Sequence, residues 1–228
     1  KIMALNFLSG SNDLVNCGSR TSLDNLDPVT YIAWVFPTAI GADQHVIQKA
    51  LGAGGLRLLG INTSGNAYGQ LDRATTDIQA ISNSSTLTAY KWYCICTTMI
   101  STGADSAQKV FVGSLTESMV EPTYSTQTAG SGAVNADATA NLILGNRSTG
   151  GLPMVGRIAV AAIFNRQLSL GEARSWQFRP RKMTGCVGFW QLGFNGTGNQ
   201  PDLSGNGNVG VVTTATVAPH VPLGPSFG

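Results

Sequence analysis

Short apolar runs recur along this chain at intervals of about ten residues, and the gaps between them are filled largely by Gly, Asn, Ser, Asp and Thr. That rhythm constrains the fold more than any other feature. Each run is too short for a long helix and each gap is a ready turn, so the chain is expected to form many short strands in a sandwich or barrel. In order, the runs are Met3 to Leu8, Leu14 to Cys17, Tyr31 to Phe36, Val46 to Lys49, Leu56 to Ile61 and Ala67 to Leu71. They continue with Tyr90 to Ile100, Lys109 to Leu115, Asn141 to Gly145 and Gly156 to Asn165. Ile78 to Ile81 reads as an edge strand within a polar stretch, and Thr21 to Pro28 as one helical turn or a tight loop. Ser125 to Ala140, rich in small residues, reads as flexible or ribbon-like. Strands do not alternate with helices, which argues against a parallel α/β sheet.

Two runs, Tyr31 to Phe36 and Ile158 to Phe164, are apolar at both even and odd positions, so both belong inside a sheet covered on its two faces. After the second, Ser169 with Glu172 three residues on forms a capping box, in which the hydroxyl accepts from the first turn and the carboxylate reaches back. A helix therefore starts at Ser169. Pro180 limits it to one or two turns, because proline disfavours helical geometry at the preceding residue.

Only 11% of the 228 residues are charged and 28 are Gly, a composition too apolar for disorder and too interrupted for a helical bundle. The net charge of +2 and a single basic cluster, Arg174, Arg179, Arg181 and Lys182, without interleaved aromatics, argue against nucleic-acid binding; the cluster reads as a solvated connector. No apolar run approaches the roughly 20 residues of a membrane span, and no leader pattern is present, so a soluble chain is expected. Cys94 and Cys96 are two apart in a strand-like run and face one way, which prevents a bond between them. Cys17 and Cys186 could pair with them or with each other, but reduced, buried thiols are the favoured reading. His45 and His220 lie far apart and no CxxC or HxxxH spacing exists, so zinc is not expected.

The pieces ALNFLSGSNDLVNCGSRTSLDNLDPVTYIAWVFPT, GLRLLGINTSG, KWYCICTTM, KVFVGS, NLILGNRS and GRIAVAAIFNRQLSLGEA, in that order, resemble the laminin-G-like, concanavalin A-like jelly rolls of phage and bacterial surface proteins. The resemblance implies an all-β, two-sheet antiparallel jelly-roll β-sandwich with one concave and one convex sheet, one short helix near 169–176, and Trp34 and Trp92 as core anchors. The segment GCVGFWQLGFNGTGNQPDLSGNGNVGVVTTATV looks like one that relatives carry before their first strand. Placed here after the last, it is expected to close the sandwich through residues 185–217. Residues 1–228 then form one jelly-roll domain, with 177–228 a C-terminal extension ending in a Pro-rich tail, VAPHVPLGPSFG, expected to be extended and unpaired. Phage-encoded relatives often share this arrangement and the closing motif seen at His220 to Pro225.

Glucanases share the fold, but they set two carboxylates about 5 to 9.5 Å apart across the scissile bond. No Glu-x-Asp-x-Glu spacing or GxSxG elbow occurs here. The three glutamates are Glu117, Glu121 and Glu172, and the pairs Asp24/Asp27 and Asp72/Asp77 sit where turn-making is the usual role. The chain is therefore not expected to be an enzyme, and a polysaccharide-cleaving activity is the last choice. Relatives often bind calcium through an acidic pair where this chain has Ala159 and Val160, so no cofactor is expected and calcium is unsupported by residues 158–160. The loop Asp202 to Asn208 reads as a Gly-rich turn organised by Asp202 and Asn206. Glycan recognition would rest on Tyr68 with Asn62 and Asn66, and on His45 with Asp43 and Gln44; an ordinary loop side chain is the favoured reading of each. By elimination and by the phage resemblance, the first expectation is a non-enzymatic module of a surface assembly, a capsid-decorating or tail-associated virion protein. Its partners would be other virion or surface proteins or itself, and its location the virion surface or the extracellular space. A lectin-like adhesion module binding cell-surface glycans is the alternative.

Overall fold

The computed structural model describes residues 3–10, 12–51, 54–83, 86–101 and 107–223. Its strands are β1 (Met3–Phe7), β2 (Leu14–Asn16), β3 (Val29–Pro37), β4 (Gln44–Leu51), β5 (Gly54–Ile61), β6 (Ala67–Leu71), β7 (Ile78–Ser82) and β8 (Tyr93–Met99). They continue with β9 (Lys109–Ser114), β10 (Tyr124–Thr128), β11 (Leu142–Leu144) and β12 (Gly156–Phe164). The helix α1 (Leu170–Phe178) follows, then β13 (Cys186–Gln191), β14 (Val211–Thr213) and β15 (Thr216–Pro219). Residues 102–106, in the gap between the runs Tyr90 to Ile100 and Lys109 to Leu115, and the last five residues of the Pro-rich tail lie outside the described residues.

These strands make a two-sheet antiparallel jelly-roll sandwich. One sheet has seven strands in the order β15-β1-β12-β3-β8-β9, with β13 also paired to β12. The other has eight, in the order β10-β7-β6-β5-β4-β11-β2-β14. Between the sheets lies the main core, which includes Phe7, Val35, Leu59, Ile61, Leu144, Ile158 and Trp190. A second apolar cluster, with Trp34, Phe164, Trp176 and Phe189, fills the space between the outer face of the seven-stranded sheet and α1. The two unbroken apolar runs are explained by this layering: β3 and β12 sit at the centre of the sheet that is covered twice.

The capping box forms as the spacing requires. Ser169 Oγ accepts from Glu172 N at 3.3 Å, and Glu172 Oε2 accepts from Ser169 N at 2.9 Å. The helix runs nine residues, longer than one or two turns, because Ala173, Trp176 and Gln177 bury one face of it. Trp34 donates its indole N–H to Gln177 O at 2.8 Å and ties the helix to β3. At the start of β12, Gly156 adopts φ +141, and a Cβ there would run into Phe36 O, so the turn into the strand admits glycine alone.

Three segments differ from their reading in sequence. β7 is not an edge strand, because β10 pairs outside it. The supposed flexible stretch 125–140 holds most of β10 and the fully buried Asp137, which accepts from Arg57 and from Lys49 at 3.1 Å. Lys49 also pairs with Asp24 at 2.6 Å, so Asp24 is an ion-pair partner rather than a plain turn residue. The Pro-rich tail is not wholly unpaired: Thr216–Pro219 form β15 against β1, and the tail's Pro219 ends the strand at a sheet edge where a missing N–H costs nothing. β13 pairs β12 and β14 pairs β2, so all three strands beyond the helix join the sandwich. All four cysteines are free and buried.

Candidate functional site

The seven-stranded sheet is covered on its outer face by α1; among the described residues, no helix or strand lies over the outer face of the eight-stranded sheet. Strand register brings Ile143, Gln48, Leu58, Gln70 and Gln79 into one row across that open face. His45, Gly60, Tyr68 and Ile81 form the next row. These strands therefore put amides where a strand covered on both faces puts leucine and valine. The 146–150 segment rises beside the rows and completes a pocket of about 280 Å³ lined by His45, Gln48, Gln70, Asp72, Asp77 and Arg147, with Ala50 and Leu56 as apolar lining.

The polar groups in the pocket are held by one another. Gln70 Nε2 donates to Asp72 Oδ1 at 3.0 Å and to Asp77 Oδ2 at 3.1 Å, while its Oε1 accepts from Gln79 Nε2 at 3.4 Å. Asp72 also accepts from Leu56 N, and Asp77 from Arg73 N, so both keep a turn-making role as well. Burial raises the Asp72 carboxyl above its ordinary value, and the charge of the neighbouring Asp77 adds to the shift. His45 Nδ1 lies 2.9 Å from Gln48 Oε1, an acceptor, which assigns the proton to Nδ1 and leaves Nε2 as an acceptor. Burial lowers the His45 pKa, so the ring is neutral at pH 7. Arg147 is fixed by Nε donating to Gly150 O at 2.6 Å, with its side chain exposed.

Of the six residues picked from sequence, only His45 lines this pocket; Gln44 is buried, its Nε2 donating to Ala39 O at 2.8 Å and its Oε1 accepting from Val155 N at 2.9 Å. Tyr68 is 7% exposed on β6, its ring against Gly60, and is no open platform for a sugar. Asn62 Oδ1 accepts from Ser64 N and Asn66 N at 3.0 and 2.9 Å, which makes it the organiser of the β5–β6 turn. Asp43 Oδ1 accepts from Thr63 N of the same turn at 3.1 Å, and Asn66 Oδ1 from Thr86 Oγ1 at 3.0 Å. The structure thus gathers Asp43, Asn62 and Asn66 at one hairpin, where they hold backbone and a neighbouring loop. Sequence reasoning missed Gln48, Gln70, Asp72, Asp77 and Arg147; a glutamine inside each of two strand runs, Val46 to Lys49 and Ala67 to Leu71, was the available signal. Asp202 accepts from Phe189 N, Ser204 N, Ser204 Oγ, Asn208 N and Asn208 Nδ2, which makes it the hub of its Gly-rich turn. Ala159 and Val160 are fully buried in the helix-side cluster. A larger cleft of about 530 Å³ beside β9 has, among the described residues, Glu117 as its one charged side chain, and its Tyr93 hydroxyl is already bonded to Thr88.

A family model described as the concanavalin A-like lectin/glucanases superfamily matches residues 9–174. The chain belongs to that superfamily. No curated protein matches it significantly in sequence. Among solved structures, a proposed carbohydrate-binding protein from Bacteroides ovatus superposes with a TM-score of 0.65 at 13% identity, covering 96% of this chain and 60% of its own. A heptameric SAP-like pentraxin from Limulus polyphemus gives 0.62 at 10% identity with 97% of each chain covered. The enzymatically active domain of bacteriophage CBA120 tailspike protein 2 gives 0.61 at 14%, covering 82% of this chain but 29% of that one. At such identities the likeness is one of fold. The superfamily match ends within α1, so β13, β14 and β15, which complete both sheets, lie beyond it.

Proposed function

We propose that the chain is a non-enzymatic, lectin-like module that binds a glycan in the pocket on the open face of its eight-stranded sheet. The observation that carries this reading is the convergence of amide, imidazole, carboxylate and guanidinium groups around an apolar lining in a pocket the size of one or two sugar rings. Sugar hydroxyls both donate and accept, and this set offers both. Support for binding rather than cleavage comes from the two acids, which are both held by the Gln70 amide and by backbone N–H groups instead of standing free to face a scissile bond from opposite sides. The Bacteroides protein of like fold is itself proposed to bind carbohydrate, which favours the same class of ligand.

The setting proposed is a virion or other extracellular surface, with the chain capsid-decorating or tail-associated. The phage tailspike of like fold supports it, as do Val211 and Val217, exposed on the edge strands of the two sheets and free to meet neighbouring proteins. A glycan array tests the binding. The wild type should retain a defined glycan, and Gln70→Ala and Arg147→Ala should each weaken it about five- to tenfold. A blank array, or a variant that binds as well as the wild type, sinks the pocket; mass spectrometry of purified virions tests the setting.

A further inference from the structure

Residues 174–182 carry Arg174, Arg179, Arg181 and Lys182 and no acidic residue. Removing those four charges from the net +2 leaves the rest of the chain at −2, so positive charge is concentrated on this one segment. All four side chains are exposed, and among the described residues none of them pairs with a carboxylate. Two of the guanidiniums are nevertheless held in place. Arg174 Nε donates to Met119 O at 2.6 Å, and Arg181 Nη2 donates to Ser175 Oγ at 3.0 Å, which folds the strap after the helix back along it. Lys182 Nζ extends the positive surface to the 202–208 turn, 3.4 Å from where a Cβ on Gly205 would stand. Phe178, 43% exposed, lies one helical turn after Arg174 and on the same face.

Cations at a helix C-terminus stabilise it through the macrodipole, which explains positive charge here but neither the exposed ring nor the tethering. Anchored guanidiniums keep their remaining N–H groups aimed outward and lose little freedom on meeting a carboxylate, and arginine beside an aromatic ring is the composition of protein-interface centres. We propose that this segment is the docking surface for an acidic protein partner, one that presents carboxylates around an apolar contact for Phe178. It lies on the helix-covered side of the sandwich, opposite the pocket, so both could be occupied at once. The proposal stands apart from the sugar reading, and either can fail alone.

The test uses the full chain and an immobilised glutamate–tyrosine copolymer, with dextran sulfate as the comparison polyanion. The wild type should bind the copolymer; Arg179→Glu with Arg181→Glu should weaken it by at least about tenfold, and Lys182→Glu, which breaks no hydrogen bond among the described residues, should weaken it about threefold. Phe178→Ala should weaken copolymer binding without changing its salt dependence, whereas Arg20→Glu with Lys91→Glu, elsewhere on the surface, should bind as the wild type. Equal binding by the wild type, the double-arginine variant and Lys182→Glu overturns the proposal. So does tighter binding to dextran sulfate than to the copolymer with Phe178→Ala unaffected, which assigns the segment to a linear polyanion.

Discussion

The outer faces of the two sheets have met opposite fates. On the seven-stranded sheet, Trp34, Phe164 and Cys96 point outward and are buried because α1 brings Trp176 and Ala173 down on them. On the eight-stranded sheet, Gln48, Gln70 and Gln79 point outward and the face stays open, with Leu58 buried between Gln48 and Gln70 and Ile143 buried beside Gln48. One amphipathic helix of nine residues makes the difference. The lesson is a division of labour: the covered face adds a second core, and the open face is released from packing and can place groups for a ligand.

That contrast predicts a hierarchy of effects. Trp176→Ala, at a side chain with no exposure, should cost about 3–5 kcal/mol in urea denaturation, whereas Gln70→Ala should cost under about 1 kcal/mol. A pocket variant as damaging as the tryptophan variant would break the comparison. Next in size, Ser169→Ala should cost about 1 kcal/mol by uncapping α1, and near-ultraviolet circular dichroism should show the loosening at the tryptophans beneath the helix. The smallest effect concerns pH. Arg166 and then Ser169 hold Glu172 down to about 2, so its contribution is present above the ordinary carboxylate value and is lost as pH falls towards about 2. Asp72 is raised, so it opposes the fold at neutral pH and that opposition fades on acidification. Glu172→Gln should therefore reduce the loss of stability between pH 7 and pH 3, and Asp72→Asn should raise the urea midpoint at pH 7 but not at pH 3. Because Glu172 is 40% exposed and screened by solvent, its share should be small.

Local signals were legible to the extent that local chemistry creates them. The capping box at Ser169 and the double-faced strands β3 and β12 could be read directly, since a cap needs only four neighbouring residues and a buried strand only a few apolar ones in a row. β10 and the burial of Asp137 could not. YSTQT has no apolar period, and it becomes a strand because β7 offers an unpaired edge. Asp137 looks like a loop residue until Lys49 and Arg57, 88 and 80 positions away, are folded against it. The pocket failed to show for the same reason: Gln48 and Gln70 are brought into one row by register alone.

The sequence by itself determined the class of fold, the position and cap of the one helix, and, through its resemblance, the superfamily. Each follows from periodicities and spacings within short windows, where backbone geometry is decided by neighbours. Tertiary structure alone decided which sheet the helix covers, which strands stand at the edges, where β13, β14 and β15 pair, and which polar side chains meet in the pocket. Those outcomes depend on strand register and on contacts between residues far apart in the chain, and a one-residue slip would turn every amide of the open face inward.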